Sequence, residues 1–255
     1  MLIEKFKSNL GKSAHGGQTL YGHLMDCLKI ACRILTDRRL IPDGYPKQKR
    51  DQLLFGTFIH DIGKLDSDFQ AMLKAACNGQ PLPSKRVKHE ASTLDFEQLI
   101  RESEEEVKNH LQNVLNYKFT EPISFEDTLA FAVTHHGLFY LSIEQRNEEM
   151  LPRIRREWTV FNYGEQRRIT LADLLFDYHP LGGLIIIADL LGSYCYEQRI
   201  GDINNLFCRA GSLLELIRLL LQDEAIKTLE EGIGKYDPRL YGLRDLIILI
   251  AGGLI

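Results

Sequence analysis

The sequence predicts an all-α fold in one helical domain. Three observations carry that expectation. Apolar residues recur at helical spacing through most of the chain, as in Leu20, Leu24, Cys27, Leu28, Ala31 and Leu35. Residues that start helices stand where those patterns begin, with Ser124 three positions before Asp127 and Pro180 at the head of an apolar run. Strand-like alternation is confined to one short stretch, Trp158–Thr170.

In chain order, Leu20–Leu35 is the first predicted helix, followed by Gln52–Ile62, Phe69–Ala76, Val87–Ile100 and Val107–Leu115. Gly79–Pro83, with two prolines, separates the third from the fourth as a loop. Phe125–Val133 follows Ser124 as its N-cap. Trp158–Thr170 alternates around Asn162-Tyr-Gly164 and predicts a β-hairpin inserted near 158–170. Leu181–Tyr196 is apolar nearly all round and belongs in the core. Leu213–Leu221 and Leu240–Ile250 complete the set. With no repeat, low-complexity segment or linker, residues 1–255 read as a single domain, its core about 19–196 and its C-terminal helices within 210–255. Leu246–Ile255 ends the chain on an apolar helix. Either it packs into the core or the chain is cut from a longer polypeptide.

Composition removes several classes. A chain of 255 residues that is 44% hydrophobic and 26% charged can bury a core and is neither disordered nor fibrous. The net charge of -4 excludes attachment to nucleic acid by bulk charge, though not by a local basic groove. The longest apolar runs, Leu181–Gly192 (broken by Asp189) and Leu246–Ile255, fall short of the roughly 20 residues that a bilayer requires. No membrane association is expected, and the N-terminus lacks a secretion signal, so a cytoplasmic protein is expected. Five cysteines without a C-x-x-C pair argue against a disulfide framework or a cysteine zinc site.

Chemistry concentrates at histidines and aspartates near helix ends. His60-Asp61 ends an apolar helix in Leu54-Phe-Gly-Thr-Phe-Ile-His-Asp-Ile-Gly-Lys64, with Gly63 available to relax the backbone and Lys64 one turn on. His135-His136 ends another in Ala132-Val-Thr-His-His-Gly137. His23 lies in Leu20-Tyr-Gly-His-Leu24, His89 in Val87-Lys-His-Glu90 and Asp189 in Ile185-Ile-Ile-Ala-Asp-Leu190. Singly, each has a plain structural explanation. A buried carboxylate such as Asp189, however, costs several kcal/mol unless a cation or donors meet it. Five helical segments together donate N or O ligands, and neighbours such as His60 and Asp61 diverge by about 100° on a helix. That divergence lets one pair address two ions, or one ion and a supporting group.

In this order, these residues resemble the HD superfamily of metal-dependent phosphohydrolases. More narrowly, the chain is similar to the HD nuclease of type I CRISPR interference, a separate protein or a domain of a helicase. The HD domain of a type I-D effector large subunit keeps the same order. Gly63-Lys64, Phe69-Gln70, Lys88-His89 and His135-His136-Gly137 match that subgroup over about Thr19–Tyr196, while Glu90 departs from the family's usual Ser or Thr. The resemblance implies an HD-domain helical bundle holding two divalent metal ions bridged by Asp61. One ion takes His23, His60, Asp61 and Asp189, the other Asp61, His89, His135 and His136. Two cations about 3.5–4 Å apart need an anionic bridge, which a carboxylate supplies and an imidazole cannot. So nitrogen-rich a site favours Mn, Ni, Co, Fe or Zn over Mg, which stays compatible. Asp61 and Lys64 are the catalytic candidates, Lys64 stabilising charge on the phosphorane-like transition state.

Other signals are weaker. Gly11-Lys12-Ser13 ends like a P-loop, but Phe6 stands where a glycine is needed, so an ATP site is rejected. Without a helicase motif, unwinding falls to a partner, a CRISPR helicase or a guide-RNA effector complex. Lys85, Arg86 and Lys88 run into His89, while Arg153, Arg155 and Arg156 flank Trp158. Arginines neutralise phosphates and tryptophan stacks bases, so both runs are candidate DNA contacts; a solvated charged face is their default reading. The expected function is cleavage of single-stranded DNA by two-metal phosphodiester hydrolysis in antiviral defence. An HD nucleotidase or cyclic-nucleotide phosphodiesterase is the alternative, requiring a closed pocket rather than a basic groove. Seven ligand types plus Lys64 argue against a non-catalytic assembly module.

Overall fold

The computed structural model describes residues 1–36, 47–83, 87, 89–135, 141–146, 149–154, 162–163, 167–168, 179–197 and 199. Helix α1 (Leu2–Ser8) opens the chain and buries Leu2, Ile3 and Phe6. Its first amides have no intrahelical partners; the Leu2 and Ile3 N–H groups donate to the Glu106 carboxylate at 2.9 and 3.1 Å. Strands β1 (Leu10–Lys12) and β2 (Gln18–Thr19) form a small antiparallel hairpin pairing Leu10 with Thr19 and Lys12 with Gln18. The hairpin delivers the chain into α2 (Leu20–Thr36).

Helix α3 (Lys47–Ile59) is followed by a 3₁₀ turn at Ile62–Leu65 and by α4 (Ser67–Cys77), which Asp66 caps through the Phe69 N–H at 2.9 Å. Short helices α5 (His89–Ser92) and α6 (Glu97–Glu102) flank a 3₁₀ turn at Thr93–Phe96, and α7 (Glu104–Leu115) follows. Helix α8 (Phe125–Thr134) takes the expected Ser124 cap, whose Oγ accepts from the Asp127 N–H at 3.1 Å. Strands β3 (Leu141–Arg146) and β4 (Glu149–Ile154) form one hairpin, β5 (Asn162–Tyr163) and β6 (Arg167–Arg168) another, before α9 (His179–Glu197).

The core lies where α2 packs on α3 and α9, with α8 covering α3. Leu24, Leu28 and Ile34 of α2 meet Leu54, Phe55, Phe58 and Ile59 of α3 and Leu184, Ile185 and Leu191 of α9, all buried. Phe58 receives Phe6 edge-on at a centroid distance of 5.6 Å. Polar clamps fix α8 on α3. The buried Asp51 carboxylate accepts from the Thr120 and Glu121 amides at 2.9 and 3.0 Å, and from Lys47 and the Tyr117 hydroxyl. The Gln52 side chain accepts from the Ser124 N–H at 2.7 Å and donates to the Ser124 carbonyl at 3.0 Å. These anchors hold the start of α8, so its far end comes to lie beside the end of α3.

Several sequence expectations need correction. The helix expected over Gln52–Ile62 ends at Ile59. His60 and Asp61 therefore leave the helix in a turn, and the 100° divergence expected of adjacent helical ligands does not apply. The helix expected over Val87–Ile100 is three short pieces. There the Thr93 hydroxyl bonds back to the His89 carbonyl at 3.3 Å, a competing contact that bends helices. The hairpin expected near 158–170 has paired strands at Asn162–Tyr163 and Arg167–Arg168. The longer β3–β4 hairpin, pairing Leu141 with Ile154 through Arg146 with Glu149, was not expected. Leu213–Leu221 and Leu240–Ile250 lie outside the described residues. No helix among the described residues is long and apolar enough to cross a membrane.

Candidate metal centre

Six of the seven sequence candidates converge at one buried point: His23 from α2, His60 and Asp61 from the turn after α3, His89 from the start of α5, His135 after α8, and Asp189 from α9. The seventh, His136, lies outside the described residues. His23, His60 and Asp61 are fully buried, and Asp189 is 5% exposed.

The backbone explains the convergence. Because α3 stops at Ile59, His60 and Asp61 both turn into the interior instead of pointing apart. Gly63 then packs on the His89 carbonyl so closely that a Cβ there would lie 1.7 Å from that oxygen. Its role is close approach to α5, not the backbone relaxation expected from sequence. Gly11 acts similarly, since a Cβ would lie 2.9 Å from Leu20 Cα and 3.1 Å from His23 Cβ. Its bareness lets β1 lie against the base of His23.

The two oxygens of Asp61 face different partners. Oδ2 lies 3.1 Å from His23 Nε2 and 3.6 Å from His60 Nε2, while Oδ1 lies 3.0 Å from His89 Nε2 and 3.2 Å from His135 Nε2. Asp189 Oδ1 joins the first set, 2.9 Å from His23 Nε2 and 3.8 Å from His60 Nε2. In the second set, His89 Nε2 and His135 Nε2 are 3.2 Å apart. The carboxylate thus divides the imidazoles into two groups, one per oxygen.

Ring orientation is fixed from behind. A carbonyl can only accept, so His60 Nδ1–H donates to Thr57 O at 2.6 Å and His135 Nδ1–H to Ala132 O at 2.5 Å. Both rings therefore present Nε2 to the carboxylates, the arrangement typical of a metal-ligating histidine. His60 Nε2 and Asp61 Oδ1 are buried without a hydrogen bond among the described residues. Buried atoms of this kind are costly unless something meets them, and a cation meets lone pairs on both. The residues present therefore fit divalent metal, and two overlapping groups, His23–Cys27–His60–Asp189 and His60–Asp61–His135, are compact enough to hold an ion.

Cys27, one α-helical turn beyond His23, was not a sequence candidate. Its Sγ is 3.7 Å from His23 Nδ1 and 3.6 Å from Nε2. An atom nearly equidistant from both nitrogens lies over the ring rather than on the Nε2 lone pair, so Cys27 buttresses His23. Burial, reinforced by the Asp189 charge, pushes its thiol well above the ordinary range.

Two lysines attend the carboxylates. Lys64 Nζ donates to Asp61 Oδ2 at 2.5 Å from within the 3₁₀ turn, and Lys12 Nζ lies 3.7 Å from Asp189 Oδ1. Burial alone would raise the Asp61 carboxyl, but the Lys64 ammonium, together with the imidazoles around it, holds it well below the usual carboxylate range. For Asp189, burial is likewise outweighed, by the Lys12 charge and by the neighbouring His23 and His60 imidazoles. Both therefore stay ionised and able to ligate. Burial, then the Lys12 charge, lowers His23 despite its carboxylate partners, so its imidazole is neutral. Burial would lower Lys12, but the charges of Asp189 and Asp61 outweigh it and raise the group above its ordinary range. The sequence rejects an ATP site at Gly11-Lys12-Ser13 and assigns Lys12 no role; its position follows from the β1 strand that precedes a ligand-bearing helix.

The expected DNA contacts fall almost wholly outside the described residues. Lys85, Arg86, Lys88, Arg155, Arg156 and Trp158 lie outside the described residues, and Arg153 is placed only by its backbone, opposite Ser142 in the β3–β4 hairpin.

A family model described as Cas3, HD domain, matches residues 7–196, well over half of the chain. A helical domain with this site and this match is a hydrolase of the HD type. The chain belongs to the Cas3 HD-domain family and is thereby a CRISPR-associated, metal-dependent nuclease. No curated protein and no solved structure matches the chain.

Proposed function

We propose that this chain cleaves single-stranded DNA by phosphodiester hydrolysis at two divalent metal positions bridged by Asp61. The observation that carries the reading is the division of Asp61, with Oδ2 toward His23 and His60 and Oδ1 toward His89 and His135. His23, His60, Asp61 and Asp189 would hold one ion, and Asp61, His89, His135 and His136 the other. When bound, the ions supply Lewis acidity that makes a nucleophile from water near neutral pH and neutralises phosphate charge. The donor set, dominated by imidazole nitrogen, favours Mn, Fe, Co, Ni or Zn over Mg.

The protein's part is orientation and charge. Thr57 and Ala132 fix the imidazoles of His60 and His135, Asp61 and Asp189 remain anionic, and Cys27 supports His23. Lys64 offers a buried ammonium beside Asp61 Oδ2, suited to negative charge developing on the phosphoryl oxygens. Unwinding would come from a CRISPR helicase or a guide-RNA effector complex. Chelator-stripped protein, incubated with labelled circular and linear single-stranded DNA across Mg, Mn, Co, Ni and Zn, tests the reading. Cleavage with transition metals, slow action on duplex and little mononucleotide hydrolysis are expected. Efficient nucleotide turnover with inert DNA would overturn it in favour of a nucleotidase.

A further inference from the structure

The Gly11-Lys12-Ser13 segment has no place in the two-metal reading, yet its lysine reaches that centre. Lys12 and Lys64 approach different carboxylates: Lys12 Nζ is 3.7 Å from Asp189 Oδ1, and Lys64 Nζ is 2.5 Å from Asp61 Oδ2. His23 Nε2 touches these same two oxygens, at 2.9 and 3.1 Å. The first metal position is thus flanked by two ammonium groups, and they differ in kind. Lys64 is 5% exposed and hydrogen-bonded, whereas Lys12 is 20% exposed and too far from Asp189 for a hydrogen bond.

The placement of Lys12 is built into the fold. The buried Gln70 side chain accepts from the Leu10 N–H at 2.9 Å and donates to Leu10 O at 2.8 Å and Lys64 O at 2.6 Å. One amide therefore sets both the strand that carries Lys12 and the turn that carries Lys64. Gly11 seats that strand against His23. A solvated lysine needs none of this.

Charge then decides where Lys12 goes. A divalent cation taken up at Asp189 satisfies the oxygen that now attracts Lys12 and repels its ammonium group. Anchored at the strand and open to solvent on one side, the side chain is then placed to meet an anion delivered to the centre from outside. We propose that Lys12 is a substrate-contacting residue whose ammonium binds a non-bridging oxygen of the phosphate group held at the metal centre. Lys64 stays inside with Asp61, and Lys12 supplies the outer contact. The proposal rests on the metal reading.

Orthophosphate is the probe, titrated calorimetrically into the Mn-loaded full chain, with Mn content measured in parallel for wild type, Lys12→Met and Lys12→Arg. The expected result is unchanged Mn content, phosphate affinity about tenfold weaker in Lys12→Met, and recovery to within about threefold in Lys12→Arg, since one charge-assisted hydrogen bond is at stake. Undiminished phosphate affinity in Mn-loaded Lys12→Met overturns the proposal. So does loss of Mn from Lys12→Met, which would make Lys12 a structural partner of Asp189. A wild-type chain that takes up no Mn would instead overturn the metal reading, and this proposal with it.

Discussion

A fully buried carboxylate must find positive charge or donors for each of its oxygens, and among the described residues Asp61 finds only Lys64 as a bonded cation, at Oδ2. The rest of its surroundings are imidazole nitrogens, and the rings of His60 and His135 commit their opposite nitrogens to carbonyls. This asymmetry separates the roles of Asp61 and Lys64. Lys64→Met removes a charge but no ligand atom, so metal content should persist while kcat falls by about 10²-fold, the usual scale for one electrostatic donor. Metal analysis beside steady-state cleavage checks this; lost metal with normal kcat per loaded site would contradict it. Asp51, a buried carboxylate away from the metal centre, serves stability. Burial would raise its pKa, but Lys47, Tyr117 and the Thr120 and Glu121 amides lower it below the unfolded value. Its contribution is therefore complete above about pH 4 and is lost as pH falls through the folded value. Asp51→Ala, which leaves those amides without their acceptor, should cost about 2 kcal/mol by urea denaturation at pH 7 and flatten the acid limb of the stability curve. An unchanged midpoint would show that the clamp is dispensable.

At the scale of elements, helix termini rather than helix faces carry the site. Four of the six described candidates stand at ends: His60 and Asp61 after α3, His89 at the start of α5, and His135 after α8. Gly63 then ties the first of these ends to α5. Gly63→Ala would drive a methyl into the His89 carbonyl and should cost about 3 kcal/mol, at the upper end of overpacking, with His89 displaced and the metal at its side weakened. Thermal melts with metal analysis test this, and full stability and metal content in the Gly63→Ala variant would contradict it. The same elements show what sequence could reveal. Helical spacing located α2, α4, α7 and α8 closely, and α9 was located by a run that is apolar nearly all round. The ends of α3 and α5 were misjudged because the 3₁₀ turns that follow them, Ile62–Leu65 and Thr93–Phe96, carry apolar residues on at near-helical spacing, the second with a Thr93 hydroxyl bonded back to the His89 carbonyl. Asp61 and its imidazole partners were legible as residue types in an order that resembles a family. Lys12 and Cys27 were not, since their roles arise from a hairpin register and a ring contact; Gln70 stood in a matching motif, but its role as a side-chain amide bridging two segments had no sequence signal. The β3–β4 hairpin was missed although Leu141 and Ile143 alternate, because Pro152 interrupts its second strand.

For the molecule as a whole, a core shared among α2, α3, α8 and α9 holds ligands from five segments, so metal binding and folding are coupled. Mn at about 100 times its Kd should add about 2.7 kcal/mol per site and raise Tm by roughly 5–10 °C, and chelation should reverse this. A melt indifferent to metal would mean that these segments are not joined by a cation. The most direct test of the account is Mn stoichiometry in folded wild type, Asp61→Asn and Asp189→Asn, measured by mass spectrometry. Two ions are expected in wild type, about one in Asp189→Asn, and none tightly held in Asp61→Asn, because the proposed bridge between the two positions is Asp61. Two tightly bound ions in Asp61→Asn would contradict it.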